Sequence, residues 1–290
     1  MAQKRAVLIA GPTASGKSAL ALGRAQALAG IIVNTDALQV YDGLRLITAR
    51  PVADDLAAAR HELYGFVDPA LRFSTGDWAR AAMRIIAEAG NTPLIFAGGT
   101  GLYFESLTKG FADVPEIPSS AFAWAEAEVH GLDREGRTRL IAARDPAMKE
   151  RLKGNDPQRV IRALAVLKAT GRSLASYQDE TVKPLLQGWM LERIVLNPPR
   201  EVLRERIAKR FELMLEQGAV AEVEAFLARK LDPSLPAMKA IGVREIGDWI
   251  AGRSTREEMI ERAITATRQY AKRQRTWFRG RMSDWTWVEA

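Results

Sequence analysis

The chain has 290 residues, which is enough for one large domain or for a domain that carries an insertion. Hydrophobic residues make up 47% of it and charged residues 27%, and no apolar run approaches the roughly 18–20 residues that a membrane helix needs. The lack of cysteine excludes disulfides, thiolate metal sites and cysteine nucleophiles, and two histidines are too few for a histidine-built metal site, so Mg²⁺ is the expected ion.

A predicted phosphate-binding loop follows the first apolar run. The run Ala6–Ala10 is typical of a strand, the next eight residues have the spacing G-x-x-x-x-G-K-S, and a helical stretch begins at Ser18. Backbone N–H groups of such a loop surround phosphate oxygens, the lysine adds a positive charge, and the serine hydroxyl holds Mg²⁺. The predicted binding residues are Gly11, Pro12, Thr13, Ala14, Ser15, Gly16, Lys17 and Ser18, with Ser18 as the metal ligand.

The same apolar run bears on where the protein works. Because it leads directly into the loop, cleavage after it would destroy the site. We therefore expect no signal peptide and a cytoplasmic protein without a membrane segment.

Short β-like runs alternate with helical stretches along most of the chain. Continuous apolar strands that are separated by long helical connections favour a parallel sheet covered on both faces. The predicted strands are Ala6–Ala10, Ile31–Asn34, Leu94–Ala97 and Arg193–Leu196, with a further strand or strand end within His61–Pro69. The predicted fold class is α/β, with a P-loop parallel-sheet core.

The composition changes between about Asp113 and Pro184. The segment DVPEIPSS is typical of a linker, and Ala-, Glu- and Arg-rich helical stretches follow it, with no further β-like run until Trp189. We predict an inserted, mostly helical domain at 113–186 and an α/β core domain formed by 1–112 and 187–290.

The acidic residue beside the loop is not where ATP-hydrolysing P-loop proteins have it. Those proteins place an Asp after an apolar strand, where it helps to hold Mg²⁺, but the strand Leu94–Ala97 leads into Gly98–Gly101. Asp36 instead follows Ile31–Asn34, at the carboxyl end of a strand, where open α/β sheets bind ligands. Asp36 is therefore a reactive carboxylate, an Mg²⁺ ligand, or a helix N-cap or turn residue. The glycine-rich segment is either a tight turn or a place where backbone and the Thr100 hydroxyl approach a diphosphate.

An arginine-rich stretch follows the strand Arg193–Leu196. Such a run on a helix is either a solvated face or a clamp on a phosphate group that is being transferred, as in small-molecule kinases. Its members are Arg200, Arg204, Arg206 and Arg210.

A second basic stretch lies between Arg262 and Met282. It contains seven Lys and Arg and no Asp or Glu, which equals the formal net charge of +7 of the whole chain. Such a local block predicts a polyanionic partner. Trp277 and Phe278 lie within it and either stack on a ligand or pack in the core. The basic residues that share one helical face are Arg268, Lys272, Arg275 and Arg279.

Six segments together resemble the tRNA dimethylallyltransferase family, also known as tRNA isopentenyltransferases or IPP transferases. They occur in the family's order and span residues 11 to 280. The segments are GPTASGKS at 11–18, DALQVY at 36–41, GGTGLY at 98–103, DPQRVIRALAV at 156–166, KAIGVRE at 239–245 and TRQYAKRQRTWFRG at 267–280. The chain departs from the family at Ala37, where serine is common, and at Val243, where an aromatic residue is common.

The resemblance implies transfer of a dimethylallyl group from dimethylallyl diphosphate to the exocyclic amine of an adenosine. In the family this adenosine lies 3′ of the anticodon in tRNAs that read codons beginning with U. Asp36 would accept the proton of the amine, and Lys17 and Thr100 would stabilise the leaving diphosphate with Mg²⁺. We expect a monomer whose partners are the anticodon stem-loop of tRNA and dimethylallyl diphosphate.

The predicted tRNA contacts combine positions that match the family with the basic helix. Bases in single-stranded loops are recognised by stacking and by their exposed edges, and phosphates by positive charge. These positions are Asp36, Ala37, Leu38, Gln39, Thr100, Gln158, Arg159, Val160, Ile161, Arg162, Lys239, Ala240, Ile241, Gly242, Val243, Arg244, Arg268, Lys272 and Arg275.

Two other functions remain open from the residues alone. A small-molecule or nucleotide kinase explains the P-loop and the arginine-rich stretch, but not the missing strand-end Asp or the basic C-terminal stretch. A non-enzymatic RNA-binding module explains the charge and leaves the P-loop and Asp36 without a use.

Overall fold

The computed structural model describes residues 3–112, 114–152, 154, 156–180 and 182–289. Within these ranges six parallel strands form one sheet in the order β3-β2-β4-β1-β5-β6. The predicted α/β fold with a parallel sheet is confirmed. The strands are β1 (Arg5–Ala10), β2 (Ile31–Asn34), β3 (His61–Glu62), β4 (Leu94–Gly98), β5 (Met190–Leu196) and β6 (Thr286–Val288).

The central strands are apolar because helices cover both faces of the sheet. β2 and β4 are buried along their whole length, and so is β1 after its first residue. The edge strand β6, which the sequence did not predict, extends the sheet beside β5.

The register of the sheet brings several strand ends to one edge. Ala10 pairs with both Gly98 and Val195, and Asn34 pairs with Ala97. The P-loop, the segment after β2 and the Gly98–Gly101 turn therefore leave the sheet at the same edge, which is where ligands bind in open α/β sheets.

Helices connect the strands and account for most of the described chain. The α-helices are α1 (Lys17–Leu28), α2 (Ala53–Ala58), α3 (Thr75–Glu88), α4 (Gly101–Thr108), α5 (Ser119–Val129), α6 (Arg134–Arg144), α7 (Pro146–Leu152), α8 (Pro157–Thr170), α9 (Leu174–Asp179), α10 (Arg200–Glu216), α11 (Ala219–Leu227), α12 (Val243–Ile250) and α13 (Arg256–Arg281). None of the helices seen in the described ranges is long and apolar enough to cross a membrane.

The chain divides into two compact units. One is formed by Met1–Thr108 and Leu185–Ala290 and contains the sheet, and the other is Lys109–Pro184. The sequence predicted an insertion at 113–186, and its first residue, Asp113, lies outside the described residues.

The second unit is a helical bundle with a core of its own. α5 packs on α8, and Asp156 caps α8 by accepting hydrogen bonds from the N–H groups of Gln158 and Arg159. Val160 and Ile161 are buried in this core. These apolar side chains hold α8 against the bundle, whereas Gln158 and Arg159 are exposed, and the contact of this segment with tRNA stays a prediction.

Candidate active site

The backbone of the P-loop is tightly packed. A Cβ atom on Gly11 would lie 2.7 Å from Ser15 Oγ and 2.8 Å from the carbonyl oxygen of Leu196, so only glycine fits there. Gly16 precedes α1 with a φ of +92°, a conformation that favours glycine. The loop thus turns directly into the N-terminus of a twelve-residue helix, which favours a bound anion.

The ammonium of Lys17 folds back over this loop. Its Nζ donates a hydrogen bond to the carbonyl oxygen of Pro12 at 2.7 Å. Burial lowers the pKa of Lys17 to about 7, with the charge of Asp36 raising it and that of Arg210 lowering it further. Both Asp36 and Arg210 are therefore close enough to change the pKa of Lys17, and a bound phosphate would favour the protonated lysine.

Asp36 is held by the last residue of β2. The fully buried Asn34 accepts a hydrogen bond from the Asp36 N–H at 2.7 Å and donates from Nδ2 to the Asp36 carbonyl at 3.0 Å. Trp78 in turn donates to the Asn34 carbonyl at 2.9 Å. Asp36 Oδ1 accepts from the Leu38 N–H at 2.9 Å, which closes a local turn. Asp36 is thus a turn residue, and the hydrogen bond that closes the turn uses its Oδ1 atom, not Oδ2.

Thr100 connects the glycine-rich turn to the Asp36 segment. Its hydroxyl accepts a hydrogen bond from the Ala37 N–H at 2.9 Å, and its own N–H donates to the Thr35 carbonyl at 3.0 Å. The backbone of Ala37 makes this contact, so the departure from the family's serine leaves it intact.

The glycines of this turn are required by close packing. A Cβ on Gly98 would lie 2.2 Å from the Thr35 carbonyl carbon, and one on Gly101 would lie 2.1 Å from the Trp277 ring. The tight-turn interpretation of the sequence therefore accounts for these two glycines.

A largely apolar cavity of about 90 Å³ lies beside the charged groups. Ile47, Phe211 and Met214 form part of its wall, while Asp36 and Arg210 supply charge. Such a lining suits a ligand with a small apolar part next to an anionic part.

Two of the four arginines on α10 lie near the loop. Arg206 Nη1 is 4.0 Å from the position of a Cβ on Gly16, and Arg210 lines the cavity one helical turn later. Burial lowers the pKa of Arg210. Arg200, Arg204 and Arg206 are exposed, and Arg210 is half-buried. Arg206 and Arg210 are the arginines of this stretch that the structure places beside the loop and the cavity.

The basic helix α13 has an outer and an inner face. Arg268, Lys272 and Arg279 are exposed, and Arg275 is half-buried, with its pKa lowered by burial and by Arg279. On the inner face Phe278 is buried in the core and Trp277 packs against Gly101, so the core interpretation holds for Phe278.

Other predicted contacts are placed less favourably. Gln39 Nε2 donates to the carbonyls of Thr48 and Ala49 at 2.8 and 2.9 Å, so its amide nitrogen is used within the fold. Ala240 and Val243 are buried in the main core, and their contact with tRNA stays a prediction.

The remaining positions of the 239–244 segment differ in their surroundings. Lys239 and Arg244 are exposed, and Ile241 lines the cavity. Gly242 precedes α12 with a φ of +105°, which favours glycine at this turn.

Sequence reasoning missed the buried polar residues that support the site. Asn34 holds Asp36, and Gln274 touches both the P-loop and the turn after β4. Tyr270 lines the cavity, and burial and the charge of Asp36 raise its pKa. The available signal for Gln274 was its position on the inner face of α13, three residues after Ala271 and four before Phe278.

Comparison with known proteins gives consistent results. A family model described as IPP transferase matches residues 39–281. A tRNA dimethylallyltransferase from Chelativorans sp. (strain BNC1) is 50% identical over 288 residues, covering 97% of this chain and 98% of that protein.

Solved structures show the same similarity. The full-length tRNA isopentenylpyrophosphate transferase from Bacillus halodurans matches with a TM-score of 0.68 and 30% identity, over 99% of this chain and 90% of that one. A eukaryotic dimethylallyltransferase acting on tRNA matches with a TM-score of 0.78 and 25% identity, over 95% of this chain and 70% of that one.

Proposed function

The chain belongs to the IPP transferase family, and on that premise we propose that it transfers a dimethylallyl group from dimethylallyl diphosphate to tRNA. The proposed acceptor is the N6 amine of the adenosine 3′ of the anticodon, in tRNAs that read codons beginning with U. The chain is thus an enzyme, a prenyltransferase that acts on tRNA. The single observation that supports the site assignment is the meeting of the P-loop, Asp36 and an apolar cavity at one sheet edge.

Dimethylallyl diphosphate has an anionic end and an apolar end, and this edge of the sheet offers a site for each. Loop N–H groups and Lys17 would bind the diphosphate, and the cavity walls near Ile47 and Phe211 would receive the five-carbon prenyl group. A phosphate site and a small apolar cavity side by side suit an allylic diphosphate better than a nucleotide base.

Asp36 is the group placed to take a proton from the acceptor. The exocyclic amine of adenine is a weak nucleophile because its lone pair is delocalised into the ring. A carboxylate that accepts the amine proton as the C–N bond forms removes the developing positive charge on nitrogen. Asp36 lines the cavity, and the turn around Asn34 and Leu38 fixes its orientation.

Departure of diphosphate is the other half of the reaction. As the allylic C–O bond breaks, positive charge grows on the prenyl carbons and negative charge on the leaving oxygens. Lys17, Arg206 and Arg210 lie beside the P-loop or the cavity and would stabilise this negative charge. The Thr100 hydroxyl accepts a hydrogen bond from the Ala37 N–H and would donate its own proton to the diphosphate.

The donor set suits Mg²⁺, which usually combines one or two protein oxygens with substrate phosphates and water. Ser18 is exposed at the start of α1 and would hold the ion with the diphosphate. In the described part of the chain no three His, Cys, Asp or Glu cluster to enclose a metal. Oxygens of the diphosphate and of water would complete the coordination of the ion. When bound, the ion would neutralise charge on the leaving group.

One incubation tests the function. The protein is mixed with Mg²⁺, labelled dimethylallyl diphosphate and bulk tRNA, with labelled ATP and a panel of small acceptors in parallel. We expect label in tRNA, and nuclease digestion followed by mass spectrometry should locate it on the adenosine 3′ of the anticodon. Label transferred from ATP, with none from the prenyl donor, would establish a kinase instead.

Replacing Arg268, Lys272 and Arg275 together with glutamine should weaken binding to all tRNAs alike. Phosphate contacts release counterions, so removal of each such charge should make the slope of log affinity against log salt shallower by about one unit. Binding is measured between about 50 and 200 mM salt. Donor affinity and thermal melting serve as controls and should be unchanged. An unchanged salt slope would place the RNA contacts elsewhere.

Donor binding should take up a proton above pH 7. In the free protein Lys17 has a pKa of about 7, and the diphosphate raises it, so the deprotonated lysine must gain a proton on binding. At pH 8 calorimetry in two buffers of different ionisation enthalpy should report uptake of about one proton. Affinity should fall as pH rises from 7 to 9. Equal uptake by a Lys17→Met variant would contradict this assignment.

A further inference from the structure

Gln274 is a buried amide on α13 that touches two separate loops. Its Oε1 accepts a hydrogen bond from the Thr13 N–H of the P-loop at 2.9 Å. Its Nε2 donates to the carbonyl oxygen of Gly99, in the turn after β4, at 3.0 Å. Only 6% of the residue is exposed.

These two loops carry the two halves of the site. Thr13 lies between Gly11 and Lys17 and lines the cavity. Gly99 precedes Thr100, whose hydroxyl accepts from the Ala37 N–H directly after Asp36. One amide therefore links the diphosphate-binding loop, through one further hydrogen bond between Thr100 and Ala37, to the backbone next to the carboxylate.

The surroundings leave little freedom for this contact. A Cβ on Gly99 would lie 2.1 Å from Gln274 Nε2 and 3.4 Å from Asp36 Oδ2. One turn before Gln274 on the same helix, Ala271 belongs to a small buried cluster that includes Ala14 of the P-loop. Three residues after Gln274, Trp277 packs against Gly101. Both loops are thus seated on the inner face of α13.

Glutamine is chemically matched to this position. The contact needs one acceptor and one donor at the end of a long side chain, and an amide supplies both. A carboxylate keeps the acceptor but sets a negative charge against the Gly99 carbonyl. An apolar side chain leaves the Thr13 N–H and the Gly99 carbonyl buried without partners.

We propose that Gln274 is a positioning residue for prenyl transfer. It fixes the distance between the P-loop and the two linked segments that carry Thr100 and Asp36. The donor and the proton-accepting carboxylate are thereby held in the geometry of the reaction. The inference rests on the proposed function of these loops. Loss of the amide should act on kcat, because misplacement of reacting groups by about 1 Å costs about 10²-fold.

Three variants test the proposal in the full-length protein. Gln274→Met removes both hydrogen bonds at similar size, Gln274→Glu removes only the donor, and Gln269→Met makes the same change at an exposed position of α13. We expect Gln274→Met to lower kcat by about 10–100-fold with the KM for tRNA changed less than about twofold, and Gln269→Met to have no effect. Melting temperature and circular dichroism monitor folding.

The pH profile of Gln274→Glu gives a readout that a purely structural role would not move. A protonated carboxyl both donates and accepts, so it restores both contacts, and burial raises the pKa of such a carboxyl. The ratio of its kcat to that of the wild type should therefore rise as pH falls from 8 to 6, while the ratio for Gln274→Met stays constant. Amide hydrogen exchange at Thr13 should be faster in Gln274→Met than in wild type.

The outcomes separate this inference from the proposed function. Wild-type kcat in Gln274→Met, or a flat ratio for a folded Gln274→Glu, overturns the positioning role. If Gln274→Met does not fold, the Gln274→Glu profile decides. If the wild type itself transfers no prenyl group, the proposed function fails. Amide hydrogen exchange at Thr13 still tests the contact, and an equal exchange rate in Gln274→Met and in the wild type overturns the positioning role.

Discussion

Asp36→Asn should lower kcat for prenyl transfer by about 10²–10⁴-fold, the usual cost of losing a general base. Asparagine keeps an oxygen for the Leu38 N–H, so the turn that Asp36 closes is preserved while the proton acceptor is lost. Single-turnover transfer from labelled dimethylallyl diphosphate to tRNA measures the effect, and affinity for tRNA should change little.

Asp42→Asn is the matched control for this substitution. Asp42 is six residues further along the chain and its side chain is 69% exposed, so the same chemical change there should leave kcat within about twofold. If Asp36→Asn kept more than about a tenth of wild-type turnover, another group would have to accept the proton.

Lys17→Met should lower kcat/KM by about 10²–10³-fold, because in the proposed reaction the ammonium would stabilise both the bound and the leaving diphosphate. Methionine has a similar length without the charge. Since burial disfavours the charged lysine, as its pKa of about 7 shows, the unliganded variant should melt no lower than the wild type. Activity assays and scanning calorimetry without donor measure the two effects.

Lys209→Met provides the comparison for charge alone. Lys209 is exposed on α10 between the two arginines near the loop, and its replacement removes the same unit of charge from the surface. We expect near wild-type kinetics from this variant. A loss of activity as large as that of Lys17→Met would show that overall charge, not the loop ammonium, supports the reaction.

Local sequence signals were sufficient for the sheet core and for the P-loop. Consecutive apolar residues identified the positions of β1, β2 and β4. A strand that is buried on both faces has apolar residues at every position, so it stands out as a continuous apolar run. β6 has only three residues, too few for a recognisable hydrophobic pattern. It forms a strand because its backbone pairs with β5.

The site was predictable where a residue's role follows from its neighbours in sequence. Asp36 could be placed at a strand end, but the hydrogen bond to Asn34 that orients it was not visible in the motif. Val160 belongs to a motif shared with exposed Gln158 and Arg159, and only the packing of α8 on α5 separates the buried residue from the exposed ones. Gln274 lies 261 residues from Thr13, and no local pattern reports a contact at that distance.

That same separation has a consequence for synthesis of the protein. At about 5–20 residues per second, about 13–52 s pass between translation of Thr13 and of the glutamine that accepts its N–H. The nascent chain contains a complete P-loop sequence for most of this interval. From the translation of Leu196 to that of Thr286, about 5–18 s, β5 has no β6 beside it. A nascent chain therefore has an open sheet edge, which other chains can pair with, and no assembled site. Chaperone protection of β5 would matter most in these seconds, and a prematurely terminated chain would be inert toward tRNA.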